Sequence, residues 1–252
     1  MIDRKLYKKS FTKDSLPSWQ CPTCNSGILT VKEKEFIYAN SAETTAIIKE
    51  DFFEPEMAKL TFTALLKCSN PKCVETVTCS GFGRVKEKEY YTEFGHPESV
   101  YINYFKPLFF YPPLHIFIIP KDTPEDVKEA IVSSFSLAFN NHSAAANQIR
   151  IALECLLTHL KIKRFNIKNG KRRRLNLHQR IELLPVKYQK IKDVCLAIKW
   201  LGNAGSHCDD TMSFDDLFDG YDMLSFVLEE LYTNKHKFVK RIAKRINEKK
   251  GV

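Results

Sequence analysis

The sequence predicts an α+β protein in two parts, a small cysteine-bearing β module ahead of a larger all-α bundle, on three observations. Cysteine pairs and strand-like runs alternate from Trp19 to about Phe94, the hydrophobic period turns helical after Asp122, and an aromatic, proline-rich stretch separates the two regions. Residues 1–95 are read as the β module, 96–121 as an extended connector and 122–252 as the helical bundle with a basic C-terminal tail. A length of 252 residues leaves room for two ordinary domains. With 44% hydrophobic and 27% charged residues the composition is that of a folded protein, which excludes wholesale disorder.

The opening MIDRKLYKKSFTKDS has no apolar core of the length a secretory signal needs, so the expected compartment is cytoplasmic. The most hydrophobic stretch, Tyr101 to Pro120, is interrupted by Lys106, His115 and four prolines. Those breakers and polar groups exclude a membrane-spanning helix. In a reducing compartment eight cysteines argue for metal rather than disulfides. Cys21-Pro22-Thr23-Cys24, followed by Asn25-Ser26-Gly27, is a tight turn that aims two thiolates at one point. Cys68 and Cys73, with four residues between them, do the same. Together the four make a closed tetrahedral sulfur site, the geometry of structural Zn2+, and the module is read as zinc-ribbon-like. A closed site has no open position at which to activate water, so its expected task is folding. The forty-three residues between the pairs imply an insertion, placed at Glu35 to Met57. Cys79 is a substitute ligand or a residue of the local core, and Cys155 and Cys195 fall in apolar helical patterns as buried thiols.

Lys59–Lys67 and Thr76–Val85 are rich in β-branched and aromatic residues and read as strands. Thr123-Pro124-Glu125-Asp126 supplies an N-cap, a proline in the first turn and acidic residues after it, opening a helix to about Phe139. A second helix runs from about Ser143 to Leu160, with Ile149, Leu153, Leu156, Leu157 and Leu160 on one face. Lys161 to Arg174 holds eight basic residues and the turn signal Asn169-Gly170, and reads as a solvated, mobile loop. Helix resumes at Asn176–Leu184 and Val186–Leu201, with Gly202 and Gly205 as breakers, and Ser213 and Asp216 look like the capping pair of a last helix. That makes a bundle of about five helices.

Thirty-nine Lys and Arg against thirty Asp and Glu give a charge of +9, which favours polyanionic partners where the excess is concentrated. The concentrated part is Lys163, Arg164, Lys171, Arg172, Arg173 and Arg174, the candidate nucleic-acid contacts, together with the tail. Arg150 and Glu154, four apart on the second helix, form either a surface ion pair or, with Lys199, a polar cluster. Asn203 and His207 stand at a helix end among small neighbours, where a tuneable imidazole is a candidate for proton transfer.

Ala146–Glu154, Leu175–Leu184 and Ile198–His207 resemble the bacterial helical domain of unknown function DUF4145, which is grouped with the HEPN superfamily. The resemblance spans about Pro112 to Tyr232 and implies that the all-α part is an HEPN-like helical bundle. It also implies a homodimer and a setting beside restriction or phage-defence proteins. In HEPN ribonucleases an Arg is separated from a His by four to six intervening residues, often as Arg-Asn-x-x-x-His. Here Asn203 and His207 are kept, but Trp200, Leu201 and Gly202 stand where the Arg belongs, with Lys199 one residue too early. The first expectation is therefore a zinc-containing accessory protein that binds nucleic acid or a nucleoprotein partner. A metal-independent endoribonuclease using His207 and Asn203, or a structural oligomerisation protein, are the alternatives.

Overall fold

The computed structural model describes residues 2–204, 212–233 and 235–249, and the chain divides into two units. The first comprises Met1–Ile116 with Phe135–His142, the second Phe117–Ser134 with Ser143–Val252.

The first unit opens with a short helix α1 (Lys5–Lys8) and strand β1 (Leu29–Thr30). Strand β2 (Phe36–Asn40) and helix α2 (Ala42–Ile47) follow, then the long strands β3 (Lys59–Cys68), β4 (Thr76–Tyr91) and β5 (Pro97–Tyr111). All five strands join one antiparallel sheet in the order β1-β3-β4-β5, with β2 also paired to β3. Along β3 burial alternates strictly, with Leu60, Phe62, Ala64, Leu66 and Cys68 on the covered face. Phe62 stacks on Phe36 at 5.2 Å, and Phe11, Trp19, Phe105 and Phe110 complete an aromatic core through edge-on and tilted contacts. Burying such rings, each worth roughly 1.5–3 kcal/mol, is what holds the sheet face together.

This architecture corrects the expectation of a small zinc-ribbon-like module. The sheet has strands of 10, 16 and 15 residues and takes in most of the segment read as a connector. Two features hid the long hairpin. Beyond Arg84, β4 pairs with β5 alone, so Lys86–Tyr91 is exposed and carries no apolar alternation. Pro107, read as a breaker, sits on β5, an edge of the sheet, opposite the register shift at Ser80/Gly81. A residue without an N–H is tolerated at such a place. The proposed insertion Glu35–Met57 holds β2 and α2, the helix being capped by the Ser41 side chain accepting from Thr44 N–H.

The second unit contains α3 (Glu125–Leu137, whose last turn is counted with the first unit), α4 (His142–His159), α5 (Leu177–Glu182), α6 (Gln189–Ala204), α7 (Phe214–Tyr232) and α8 (Lys235–Lys249). It is not all-α: the run read as a mobile loop folds as a hairpin of β6 (Phe165–Lys168) and β7 (Lys171–Arg174). Asn169 and Gly170 both take positive φ, 52° and 71°, the conformation that a two-residue hairpin turn demands. The core is made by Ile149, Leu153, Leu156 and Leu157 of α4, Ile181 of α5, Cys195 and Ile198 of α6, and Leu217, Phe218, Leu224 and Leu228 of α7, all buried. The capping boxes Asn176/Gln179 and Ser213/Asp216 start α5 and α7. Helix α6 runs through Gly202, where a side chain would press on Arg150 of α4 and the bare backbone lets the two helices approach. Among the described residues no helix is long and apolar enough to cross a membrane.

Candidate metal centre and arginine pocket

Cys21, Cys24, Cys68 and Cys73 converge in the first unit, their sulfurs all within 4.8 Å of one another. Cys21 and Cys73 Sγ lie 3.7 Å apart, as do Cys24 and Cys68 Sγ. A metal–sulfur bond of about 2.3 Å in a tetrahedron separates its ligand sulfurs by about 3.8 Å, whereas a disulfide needs about 2.05 Å. The four thiols therefore fit a metal ion and are not poised as disulfides.

Each pair sits on the same local device. The residue after its second cysteine, Asn25 or Val74, takes a positive φ of about 50° and turns the chain back. Cys21 N–H donates to Gly27 O and Cys68 N–H to Glu75 O, closing each turn. The backbone N–H groups of Gly27 and Asn70 point at Cys24 and Cys68 Sγ, 3.4 Å away in both cases, where they stabilise thiolate charge. Gly27 is required by proximity, since a Cβ there would collide with Cys68 Sγ. Hydrogen bonds from the Ser26 hydroxyl and from the Gly27 and Ser26 backbone hold Cys24 down at about 5. Burial pushes Cys68 up to about 12. Cys24 thus ionises ahead of Cys68 and Cys73, and a bound cation would draw the protons off those two. Cys79 is buried in the sheet core and stands outside the cluster; Cys195 is buried in α6 and Cys155 half-buried in α4.

In the second unit Arg150, Glu154, Arg164, Arg174, Leu175, Asn176, Leu177 and Arg180 line a cavity of about 360 Å³. Glu154 Oε1 is 3.5 Å from Arg150 and Oε2 is 3.8 Å from Arg174, so a residue of α4 is tied both to its own helix and to the hairpin. Arg180, on α5, is only 5% exposed. Its Nη atoms donate to Glu154 O at 3.1 Å and Thr158 Oγ1 at 2.9 Å, joining the Thr158 hydroxyl that already donates to the same carbonyl and tying α5 to α4. Burial lowers its pKa, partly offset by the Glu154 charge. The Nε–H groups of Arg150 and Arg180 are buried with no acceptor among the described residues.

Residues 133–249 match the family described as DUF4145, a domain of unknown function. The arginine cavity therefore lies within the DUF4145 region. Residues 9–110, which contain all four clustered cysteines, match another domain of unknown function, DUF8608. No curated protein and no solved structure matches the chain.

Within the DUF4145 region the basic candidates separate. Arg164 and Arg174 reach the cavity with Arg150 and Glu154, bringing together residues that the sequence presents as two unrelated groups. The Arg172 guanidinium lies 3.8 Å over the Phe165 ring across the hairpin. Lys171 and Arg173 are exposed, and Lys163 lines a neighbouring cavity with Phe165 and His178. Lys199 Nζ stands 3.0 Å over the Trp200 ring and does not line the arginine cavity. Asn203 is within the last turn of α6, but its side chain, like the whole of His207, lies outside the described residues. Sequence reasoning missed Arg180, whose signal was a charged residue at an apolar position, between Leu177 and Ile181, of a short capped helix.

Proposed function

We propose that this chain is a zinc-holding nucleic-acid-binding protein, in which the four-thiol site fastens the N-terminal sheet and the basic hairpin region of the C-terminal unit contacts the nucleic acid. The carrying observation is the convergence of Arg164 and Arg174, from the flank and end of the hairpin, with Arg150 and Arg180 from two helices, while Lys171 and Arg173 stand exposed on the other face of the hairpin. A charge run in a disordered loop would mean only solubility. Held on a paired hairpin at the edge of a cavity, such charges keep a regular spacing, which lets several phosphates be neutralised together. The exposed aromatic Trp200, 60% accessible under Lys199, and the Phe165–Arg172 stack offer flat faces of the kind that bases rest on. Zinc is favoured at the thiol site by the all-sulfur donor set and the tetrahedral spacing. Likeness to domains found beside restriction subunits supports a setting in restriction or phage defence.

The test is salt-dependent binding of RNA and DNA by wild-type protein and by the triple variant Arg172→Gln, Arg173→Gln, Arg174→Gln. The variant should bind many sequences more weakly alike, and its log–log salt slope should be shallower by about one for each phosphate it no longer neutralises. An unchanged slope removes the hairpin from the interface, and absence of binding at low salt removes the function.

A further inference from the structure

Four guanidinium groups and one carboxylate line the arginine cavity, leaving three positive charges in excess. Glu154 is already shared between Arg150 and Arg174, and among the described residues neither Arg164 nor Arg180 has a carboxylate within ion-pair distance. Arg180 is buried with no counter-ion, which is costly, and the half-buried Arg150 with the exposed Arg164 and Arg174 adds like-charge repulsion around it. The unpartnered Nε–H donors of Arg150 and Arg180 add unsatisfied hydrogen bonds at the same place. An anion rich in acceptor oxygens relieves the two charge costs, and the planar guanidinium fork matches phosphate in particular. An excess of three charges is met better by the dianion of a phosphomonoester than by the single charge of a diester inside a strand. The volume, about 360 Å³, lies near the lower end of small-ligand sites, roughly 300–1,000 Å³. Leu175 also lines the neighbouring cavity of about 440 Å³ with Phe165, His178 and Leu183, an apolar and aromatic surface on which a base would stack.

The geometry points to a nucleotide phosphomonoester site, with the terminal phosphate among Arg150, Arg164, Arg174 and Arg180 and the base toward Phe165 and His178. The source of that chemistry is a free mononucleotide or the phosphorylated end of a strand. The site deepens the nucleic-acid reading and rests on it for the strand source alone.

Calorimetry on the full-length, metal-loaded protein decides between them, using inorganic phosphate, adenosine, adenosine 5′-monophosphate, and short RNAs ending in phosphate or hydroxyl. The monophosphate should bind and adenosine should not. RNA ends bearing phosphate should bind about tenfold or more tighter than hydroxyl ends if strands are the source. Arg150→Gln and Arg174→Gln, both away from the hydrogen bonds that Arg180 makes to α4, should each weaken the monophosphate about tenfold. Glu154→Gln should instead tighten inorganic phosphate, a change of opposite sign that loss of a merely structural ion pair would not give. Equal binding of adenosine and its monophosphate, with equal affinity for phosphate and hydroxyl ends, overturns the site while leaving hairpin binding of RNA standing. Binding of the monophosphate without any RNA binding at low salt keeps the site, assigns it a free nucleotide, and overturns the nucleic-acid reading.

Discussion

The cysteine cluster and the arginine cavity each gather four side chains of one kind, yet they are assembled by opposite means. The cysteines come from two short turns, and backbone N–H groups of those same turns are aimed at two of the sulfurs. The arginines come from α4, the flank and end of the hairpin, and α5, and are brought together only when these pack. Thiols take on negative charge as a cation displaces their protons to solvent, whereas guanidiniums stay positive and are balanced by an anion. The first site is thus suited to a small positive ion. The second keeps an excess of positive charge, which suits it to an anion.

Breaking the comparison at the thiols should give the largest effect. Cys21→Ser or Cys68→Ser should reduce zinc from about one per chain to none and destabilise the N-terminal unit by several kcal/mol, while the helical circular dichroism of the other unit persists. Metal analysis beside thermal melts measures both, and full zinc occupancy in a variant lacking both Cys21 and Cys24 would end the assignment. Next comes Arg180→Gln, which removes donors from the α4 end. It should cost about 2–3 kcal/mol in urea unfolding with zinc content untouched, and a cost under about 0.5 kcal/mol would mean that the buried guanidinium is not holding the helix end. Gly27→Ala sharpens the geometry of the metal site: the added methyl meets Cys68 Sγ, so one turn must shift. Zinc affinity in a chelator competition should fall about tenfold, and an unchanged constant would show that the turns adjust freely. The smallest effect belongs to Val74→Gly. A β-branched residue at φ 50° is strained, so glycine should stabilise the apo unit by about 1 kcal/mol, whereas a loss would mean that the valine side chain contributes more than its backbone costs.

The thiol site was legible because each half of it is local: the spacing of Cys21 from Cys24 and of Cys68 from Cys73 states the turn and the direction of its sulfurs together. Helices α4 and α7 were equally plain, from the apolar spacing of Ile149, Leu153 and Leu156 and from the Ser213/Asp216 capping box. The hairpin was not. Phe165 and Ile167 share a face with Arg172 and Arg174, and Lys171 and Arg173 lie on the other, so neither face is apolar, and the unbroken charge of β7 carries no period of two. Only Asn169-Gly170 marks it, and among so many charges that signal suits an open loop equally well. The long β4–β5 hairpin escaped for a related reason, since its outer half pairs without burying anything. Arg180 escaped because its partners, Glu154, Thr158 and Ile162, are set by packing between helices and by no spacing along the chain.

Strand β1 meets β3 with Leu29 opposite Cys68 and Thr30 opposite Lys67. Side chains on a strand alternate faces, so a slip of a single residue would turn Cys68 away from Cys24 and present Lys67 or Ser69 in its place. Only one alignment lets all four sulfurs reach a common ion. Because β3 also carries the pairings to β2 and β4, a mistake there would spread to every neighbouring strand. Metal stoichiometry therefore serves as a proofreading mark: a chain misaligned at this junction would remain compact and rich in strand, yet register as empty.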